Sequence, residues 1–532
     1  MFHQLLTPVS DSLALSFAVA AAPIATVLFL MGVVRRPAWE ASVAGLAVGL
    51  ALAVKVWQMP LPLALDSAAA GAAFALWPIM WIVFNALLLF NIAVTSGRFD
   101  AFRAWVVRHL PNDKRIVLVV VGFCFGALLE GVAGFGTPVA ITSALLIMTG
   151  FEPLEALTFT LIFNTAPVAF GALGAPVTTL AAVTGLHDTV LGAMIGRQLP
   201  MIALILPFYV IGLYGGVRSI KALWPGLLVA GLSFAGTQFA VSNYLGYALT
   251  DVLSALVSLV VTLVFLAIWK PKPDPLYALV LQADAATAPV APWQGWIPWI
   301  VVSAVVIAWT LMKINLIGQL KVPWPGLDNQ VFITLYNKPY AAVWTFQPLA
   351  TGTAILVAAA LTALMVGCGV GRFLKCIADT WRQMWLAVVT VTAIVALAYL
   401  MNYSGMNYTL GLGVASLGVL FPLVSAFLGW VAVFLSGSDT SGNALFGNLQ
   451  VVAARQLNLN PVLFAAANSS GGVMGKMISP QNISTGASTT ALKGQEGRVL
   501  ARTFKHSLIL TVLLGLLVAA QSTVLAWMVP GG

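Results

Sequence analysis

Long apolar runs separated by short polar segments dominate this chain. A membrane-spanning helix needs about 20 apolar residues, and twelve stretches approach or exceed that length: 13–34, 41–57, 67–95, 154–175, 199–214, 222–241, 252–269, 297–312, 351–369, 385–402, 461–478 and 507–529. None of them alternates apolar and polar residues with a period of two, which disfavours an outer-membrane β-barrel. The pattern predicts an all-α polytopic membrane protein with about 12–14 transmembrane segments.

The polar segments between the runs predict which side each loop faces. Eighteen of the 25 Lys and Arg residues fall in six short clusters: Arg35 and Arg36; Arg98, Arg103, Arg108, Lys114 and Arg115; Arg218 and Lys221; Lys270 and Lys272; Arg372, Lys375 and Arg382; Lys493, Arg498, Arg502 and Lys505. Cytoplasmic loops carry such an excess of bases, so all six are placed in the cytoplasm. Segment 270–296 is then cytoplasmic, and segment 313–350 and both termini are periplasmic. The first run is long enough to span, so the N-terminus is not expected to be a cleaved signal.

Counting the crossings exposes a folded-back segment. Arg115 and Arg218 are both assigned to the cytoplasm, so the chain must cross an even number of times between them. Residues 116–150 are apolar but contain Gly, Pro and polar residues; as one helix they would be about 52 Å long, against a hydrocarbon core of ~30 Å. A re-entrant hairpin that enters and leaves on the cytoplasmic side satisfies both the length and the count.

The two halves of the chain share a pattern. Gly-Arg-Phe follows a span in each half, and an acid (Glu130 or Asp439) comes five residues after a Phe and opens a Gly-rich stretch. An Asn follows (Asn164 or Asn468), with Gly seven residues and Pro twelve residues further on. Inverted repeats with broken helices are the architecture of many secondary transporters.

The repeat predicts one transmembrane domain over 1–532. Its first repeat covers about 60–270 and its second about 340–530. The second hairpin, at about 422–457, would enter from the opposite face. That arrangement requires residues 403–421 to stay near the outer surface.

Composition excludes several classes of function. Charged residues make up 8% of the chain, against roughly 25% in soluble proteins. The four His and three Cys form no ligand-spaced pair, no CxxC and no disulfide framework, so haem, zinc and copper chemistry are poorly supported. The net charge of +9 resides mainly in the loop clusters and does not indicate nucleic-acid binding.

Three charged residues lie inside the apolar or Gly-rich sequence. Glu130 and Asp439 are candidate proton-coupling acids, because an intramembrane carboxylate is costly and is a functional hypothesis by default. The alternative is that each caps a broken helix. Lys476 could pair with a substrate carboxylate, pair with an acid of the other half, or extend to an interface.

Small and polar residues cluster around these charges and form the predicted substrate site. They supply backbone N–H groups, hydroxyls and amides, and helix ends exposed at breaks attract anions. Close helix packing and polar helix–helix contacts are the alternative. The candidates are Gly134, Phe135, Gly136, Thr137, Asn164, Ser436, Ser438, Thr440, Ser441, Asn443, Asn468, Ser469, Ser470, Ser479 and Gln481, together with Lys476.

The motifs that hold these residues resemble those of a known family. FGALLEGVAGFGTPVAI (125–141), NTAPVAFGALGAP (164–176), LSGSDTSGNALFGNLQ (435–450), SPQNIS (479–484) and FKHSL (504–508) together resemble the bacterial L-lactate permease family. The resemblance implies import of L-lactate and related 2-hydroxy monocarboxylates (glycolate, D-lactate) with H⁺ across the inner membrane. It also implies two hairpins and elevator-like movement. Gly442, Gly447, Asn448 and Asn482 depart from the residues expected there, which leaves the exact substrate preference open.

Other functions remain as alternatives. A Na⁺-coupled carrier of gluconate or a dicarboxylate is the nearest one, although a dicarboxylate would require a second fixed cation. An intramembrane enzyme lacks a supporting motif, and a channel lacks rings of charge or filter sequences. The expected partners are a small carboxylate and the lipid bilayer, with no nucleic acid. The expected coupling ion is H⁺, with no cofactor or metal, and a homodimer is one of the assemblies left open.

Overall fold

The helices of the chain follow its apolar runs. The computed structural model describes residues 1–34, 36–108, 111–132, 137–279, 290–490, 492–493 and 495–530. The helices of the first half are α1 (Leu13–Gly32), α2 (Ala38–Lys55), α3 (Leu61–Phe74), α4 (Trp81–Thr95), α5 (Arg98–Arg108), α6 (Lys114–Val117), α7 (Gly126–Val132), α8 (Thr137–Met148), α9 (Pro153–Phe163), α10 (Gly171–Thr184), α11 (Asp188–Ala240) and α12 (Thr250–Ile268). Those of the second half are α13 (Ile297–Leu311), α14 (Thr351–Met365), α15 (Val370–Ser404), α16 (Met406–Ala415), α17 (Phe421–Ser436), α18 (Asp439–Gln456), α19 (Pro461–Lys476), α20 (Pro480–Thr489) and α21 (Glu496–Gln521).

Every one of the twelve predicted spans falls on helix. Within the described residues, ten helices are long and apolar enough to cross a membrane, or eleven with the bent pair α9 and α10 taken as one span. The longest of them contains two predicted spans, 199–214 and 222–241, and it breaks at Gly216, where φ is 66° and ψ is −174°. α14 and α19, which lie within the predicted spans 351–369 and 461–478, are shorter helices. The prediction of an all-α polytopic membrane protein is confirmed.

Segment 313–350 contains short strands that the apolar pattern did not indicate. β1 (Phe2–His3) pairs in parallel with β3 (Val331–Ile333), and β3 pairs antiparallel with β4 (Lys338–Tyr340). β2 (Leu320–Pro323) and β5 (Val343–Phe346) form a separate antiparallel pair. We call this face of the molecule the strand end, and the opposite face, which carries Arg115 and Arg218, the basic end.

The first hairpin enters from the basic end. A continuous helix runs from Lys114 to Val132 through a π-helical segment, and α8 returns beside it. The two legs meet at their base, where Lys114 Nζ donates to the carbonyl of Gly150 at 2.9 Å. Arg115 lies 3.8 Å from Asp274, in the segment that precedes α13. The described parts of the predicted segment, 116–132 and 137–150, therefore fold back against each other as predicted.

The second hairpin enters from the strand end. α17 and α18 pack side by side, and Gln450 Nε2 donates to the carbonyl of Ser425 at 2.9 Å across them. The base of the hairpin contacts the strands, since the Arg455 guanidinium lies 5.4 Å from the Tyr336 ring. α13 connects the segment beside Arg115 to the segment that contains Tyr336, so the two hairpins enter from opposite faces.

Residues 403–421 also lie at the strand end, as the second hairpin requires. Thr409 Oγ1 donates to the carbonyl of Leu6 at 2.8 Å, and the Tyr408 ring packs edge-on against Tyr336. The predicted boundaries of the repeats, about 60–270 and 340–530, stay a prediction.

Each hairpin is followed by a helix that is interrupted in the middle of the fold. α9 and α10 are bent by 63° at their junction, and Ala172, Leu173 and Gly174 have positive φ angles. In the second half, α19 ends at Lys476 and α20 begins at Pro480. Both breaks lie between the repeated Asn and the repeated Pro, so the shared spacing marks the broken helices.

The core surrounds these hairpins and broken helices. All of the apolar window in Lys114–Val132 is buried, compared with 28% of that in Leu13–Met31. Large apolar side chains such as Ile300, Val264 and Leu516 are exposed on the peripheral helices, as lipid-facing side chains are. The described ends of the hairpin legs, such as Val132 and Asp439, therefore lie in the interior, away from lipid.

Candidate functional site

A buried ion pair joins the two halves of the protein. Lys476 Nζ donates to Glu130 Oε1 at 2.6 Å, and both side chains are almost fully buried. Glu130 belongs to α7 at the tip of the first hairpin, and Lys476 is the last residue of α19. A cation is favoured at the C-terminus of a helix, where the carbonyl groups point outward. Of the alternatives for Lys476, this structure shows pairing with the acid of the other half.

The first broken helix shapes the pocket around Glu130. Asn164, at the end of α9, donates from Nδ2 to Glu130 Oε2 at 3.0 Å. A Cβ on Gly171 would lie 2.9 Å from Glu130 Oε1, so a larger residue there would collide with the carboxylate. The repeated Asn and Gly of the first half thus hold one acid.

Asp439 lies at the tip of the second hairpin, and its hydrogen-bond donors within the described part of the chain are all neutral. Ser469 Oγ donates to Asp439 Oδ2 at 2.6 Å, and Asn443 Nδ2 donates to the same oxygen at 3.3 Å. Asp439 is not the cap of α18, because the Ser438 hydroxyl accepts from the backbone N–H of Ser441 instead. A Cβ on Gly472 would lie 2.4 Å from Asp439 Oδ1. A glycine of the following helix therefore makes room for this acid as well.

An amide network extends from Asp439 into the second hairpin. Asn468 Nδ2 donates to Asn443 Oδ1 at 3.0 Å, and Gln450 Nε2 donates to Asn468 Oδ1 at 3.0 Å. Asn443 also donates to the carbonyl of Pro176 at 3.2 Å, which ties α18 to α10 of the first half. These side chains are buried and satisfy one another, so they hold the hairpin and the broken helices in a defined geometry.

The other predicted residues lie at varying distances from this centre. Ser436 and Ser438 bond within the turn at Gly437, and Thr440 and Ser441 are buried in the first turn of α18. The hydroxyls of Ser470 and Ser479 are buried and have no hydrogen-bond partner among the described residues. Gln481 is exposed. Gly134, Phe135 and Gly136 lie outside the described residues, and for Thr137 the structure describes only the start of α8.

Asp251 belongs to the same centre and was missed from the sequence. It is fully buried in the first turn of α12, and neither carboxylate oxygen has a hydrogen-bond partner within the described part of the chain. A Cβ on Gly131, next to Glu130, would lie 3.1 Å from Asp251 Oδ2, and Glu130 and Lys476 both act on it electrostatically. In the sequence, Asp251 lies one residue before the predicted span 252–269, where an acid resembles an ordinary residue of the first helical turn.

The centre thus brings together one cation, three carboxylates and a set of hydroxyls and amides at the meeting point of two hairpins and two broken helices. Within the described ranges, no group of three His, Cys, Asp or Glu side chains has the geometry to hold a metal ion. The Glu130–Lys476 pair is electrically balanced. A proton on the acid or an anion beside the base would change that balance, so the arrangement can link the binding of the two.

Comparison with known proteins gives a consistent result. Residues 16–525 match the family described as L-lactate permease. The chain is 40% identical to "Glycolate permease GlcA" of Escherichia coli (strain K12), with 97% of each chain covered. It is 39% identical to "L-lactate permease" of Bacillus subtilis (strain 168), with 99% of each covered.

A solved structure is also similar. The YdaH transporter of Alcanivorax borkumensis gives a TM-score of 0.48 at 16% identity, over 87% of this chain and 88% of that chain. That likeness is too low to carry an argument about function. The match along nearly the whole sequence is decisive by itself: the chain belongs to the L-lactate permease family.

Proposed function

We propose that the protein imports L-lactate and related short 2-hydroxy monocarboxylates, such as glycolate and D-lactate, together with H⁺. The observation that carries this proposal is the buried Glu130–Lys476 pair between the two halves. The relatives named L-lactate permease and glycolate permease support the substrate class. The family is one of permeases, which favours a carrier over an intramembrane enzyme.

The ion pair suggests how proton and substrate binding are coupled. Protonation of Glu130 removes its negative charge and leaves the Lys476 ammonium without its hydrogen-bonded counterion. Burying an unpaired charge is costly, so the site then gains by accepting a carboxylate beside Lys476. When the proton and the substrate are both bound, the substrate carboxylate replaces the charge of Glu130 beside Lys476. When only one of them is bound, these groups carry a net charge. Only the empty or the fully loaded site is then suited to a conformational change that moves it between the two faces.

The neutral groups around the pair are suited to the rest of the substrate. A 2-hydroxy acid presents a hydroxyl next to its carboxylate, and an amide or hydroxyl network can both donate to it and accept from it. Ser470 and Ser479 have hydroxyls without a partner among the described residues. We propose that the substrate hydroxyl binds on the side of the second hairpin, and that no cofactor other than the transported proton takes part.

The setting follows from the same reasoning. We propose a bacterial inner-membrane location with the basic end in the cytoplasm, because basic loops stay on that side. Both termini would then be periplasmic. The N-terminal strand β1 pairs with β3 at the strand end. Near the C-terminus, the carbonyl of Met528 accepts from Arg197, which lies near the start of α11, a full span away from Arg218 at the basic end. Alternating exposure by elevator-like movement and assembly as a homodimer belong to this proposal.

The direct test is uptake of labelled L-lactate into proteoliposomes that contain the purified protein. An inward H⁺ gradient and an inward Na⁺ gradient are imposed separately, with protein-free liposomes as the control. Uptake driven by the H⁺ gradient and abolished by a protonophore is the expected result. Uptake driven by Na⁺ alone would overturn the proposal in favour of a Na⁺-coupled carboxylate carrier. Competition by glycolate, D-lactate and gluconate then ranks the substrates.

A further inference from the structure

A large cavity lies at the strand end, away from the ion pair. Its volume is about 480 Å³, within the range of small-molecule sites. Tyr336, Tyr340 and Trp344 from segment 313–350 form one wall, and Tyr403 from α15 and Tyr408 from α16 face them. None of these residues was a candidate in the sequence: segment 313–350 reads as a connecting loop, and Tyr403 and Tyr408 lie outside the predicted site.

Two cations at this cavity lie near the same aromatic ring. The Arg455 guanidinium lies 5.4 Å and the Lys338 ammonium 5.9 Å from the centre of the Tyr336 ring. Neither forms an ion pair with a carboxylate in the part of the chain that the structure describes. An aromatic face attracts a cation only modestly at an exposed site, so both remain available to an anion.

Two residues of the lining also carry buried hydrogen-bond donors. The Tyr336 hydroxyl and the Trp344 indole N–H have no partner among the described residues.

No Asp or Glu is among the described residues that line the cavity. Asp328, which acts electrostatically on Tyr403, is bound by the backbone N–H of Ala342 at 2.7 Å and by the Asn329 amide. The cavity therefore presents positive charge and donors without a competing acid, which is the chemistry of an anion site.

The inner wall of the cavity is made by the elements that carry the buried centre. Asn448 of α18 donates to Asn402 Oδ1 at 2.7 Å, and Asn402 donates to the carbonyl of Val183, near the end of α10, at 2.9 Å. Along α18, Asn448 lies about 13 Å and Arg455 about 24 Å from Asp439. One helix thus runs from the cavity to the buried acid.

We propose that this cavity is an outer binding site for short carboxylates, in which Arg455 and Lys338 receive the anion before it moves to the buried centre. The inference rests on the proposed function for the identity of the anion. Its aromatic wall and its size suit a small organic acid, and its position beside α18 lets movement of the second hairpin open the route inward.

The test measures binding at the cavity separately from transport. Thr345 lines the cavity; Thr345→Cys is introduced with Cys368→Ser, because the two remaining cysteines, Cys124 and Cys376, are buried. A membrane-impermeant maleimide labels the purified protein in proteoliposomes, and L-lactate is added as protectant. The concentration that gives half-protection reports binding, and labelled L-lactate uptake is measured in the same preparation.

Protection by L-lactate is expected, and Arg455→Gln should raise the half-protecting concentration roughly tenfold, the loss of one charge-assisted contact. Lys338→Gln should shift it in the same direction. Lys321→Gln, at an exposed cation in β2 outside the lining, is the matched control and should change nothing. Lys476→Gln should leave protection near its original value although it stops transport.

Absence of protection in a protein that transports L-lactate would overturn the outer site and leave the proposed function intact. Unchanged protection in both Arg455→Gln and Lys338→Gln would also overturn it. Conversely, protection without any L-lactate transport would leave the outer site standing and overturn the proposed function.

Discussion

The two hairpins carry an acid at matching positions, but they hold it by different chemistry. Glu130 is paired with an ammonium group, whereas among the described residues Asp439 receives hydrogen bonds only from Ser469 and Asn443. An ion pair can exchange its partners when a proton or an anion arrives. A network of hydroxyls and amides instead fixes the geometry of the elements that it joins. The two hairpins therefore share an acid near the tip but not its partner, which is a cation for Glu130 and a set of neutral donors for Asp439.

The largest expected effect comes from breaking the ion pair at its base. Lys476→Met leaves Glu130 as a buried carboxylate without its cation, which should cost about 3–5 kcal/mol of stability and abolish uptake. The double variant Lys476→Met with Glu130→Gln removes both charges and should recover most of the stability but none of the uptake. Thermal unfolding in detergent and L-lactate uptake in proteoliposomes measure the two effects. A single variant as stable as the original protein would show that the pair is not structurally important.

The second prediction separates the roles of the two acids. Glu130→Gln should abolish uptake driven by a pH gradient and leave exchange of labelled for unlabelled L-lactate partly intact. The reason is that the amide resembles the protonated acid but can neither bind nor release a proton. Asp439→Asn should slow uptake while keeping its increase as the outer pH falls. Glu155→Gln, at an acid 3.9 Å from Arg502 and outside the buried centre, serves as the matched control. The reverse pattern, with coupling lost only in Asp439→Asn, would assign proton coupling to the second hairpin.

A smaller effect tests the neutral network of the second hairpin. Ser469→Ala removes the hydroxyl that donates to Asp439 and should cost about 1 kcal/mol of stability. Ser470→Ala is the matched control on the next residue, because its buried hydroxyl has no partner among the described residues. Unfolding temperatures of the two variants in the same detergent give the comparison. Equal temperatures would mean that the bond to Asp439 contributes nothing to stability.

The arrangement of the fold was largely predictable because a membrane limits the length of each spanning helix. It also requires an even number of crossings between two loops on the same side. A segment such as 116–150 is too long for one span, and the basic clusters on either side of it require the chain to return. The repeated Asn and Pro also marked both helix breaks. The strands of segment 313–350 were not predictable, since each is only three or four residues long and β3 also pairs with β1 at the other end of the chain.

The candidate centre was predictable only where charge is rare. Glu130, Asp439 and Lys476 stand out within apolar or small-residue sequence, and the structure brings Glu130 and Lys476 into contact across 346 residues. That separation explains why the partner of Lys476 could not be chosen from the sequence. Asp251 was not predicted because it lies at the edge of an apolar run, where an acid is ordinary. Arg455 was not predicted because it lies near the end of a helix, where a base is equally ordinary.

Asp251 provides the smallest predicted effect and the sharpest contrast with Glu130. Both acids are buried near Lys476, but Asp251 has no hydrogen-bond partner for either oxygen among the described residues. Asp251→Asn keeps the shape of the side chain and breaks no bond, so stability should stay within about 0.5 kcal/mol of the original, or rise slightly, because an unpaired buried carboxylate is costly. Uptake driven by a pH gradient should persist, in contrast to Glu130→Gln. Loss of that uptake in a folded Asp251→Asn variant would transfer the coupling role from the paired acid to the unpaired one, since only the carboxylate itself would have been removed.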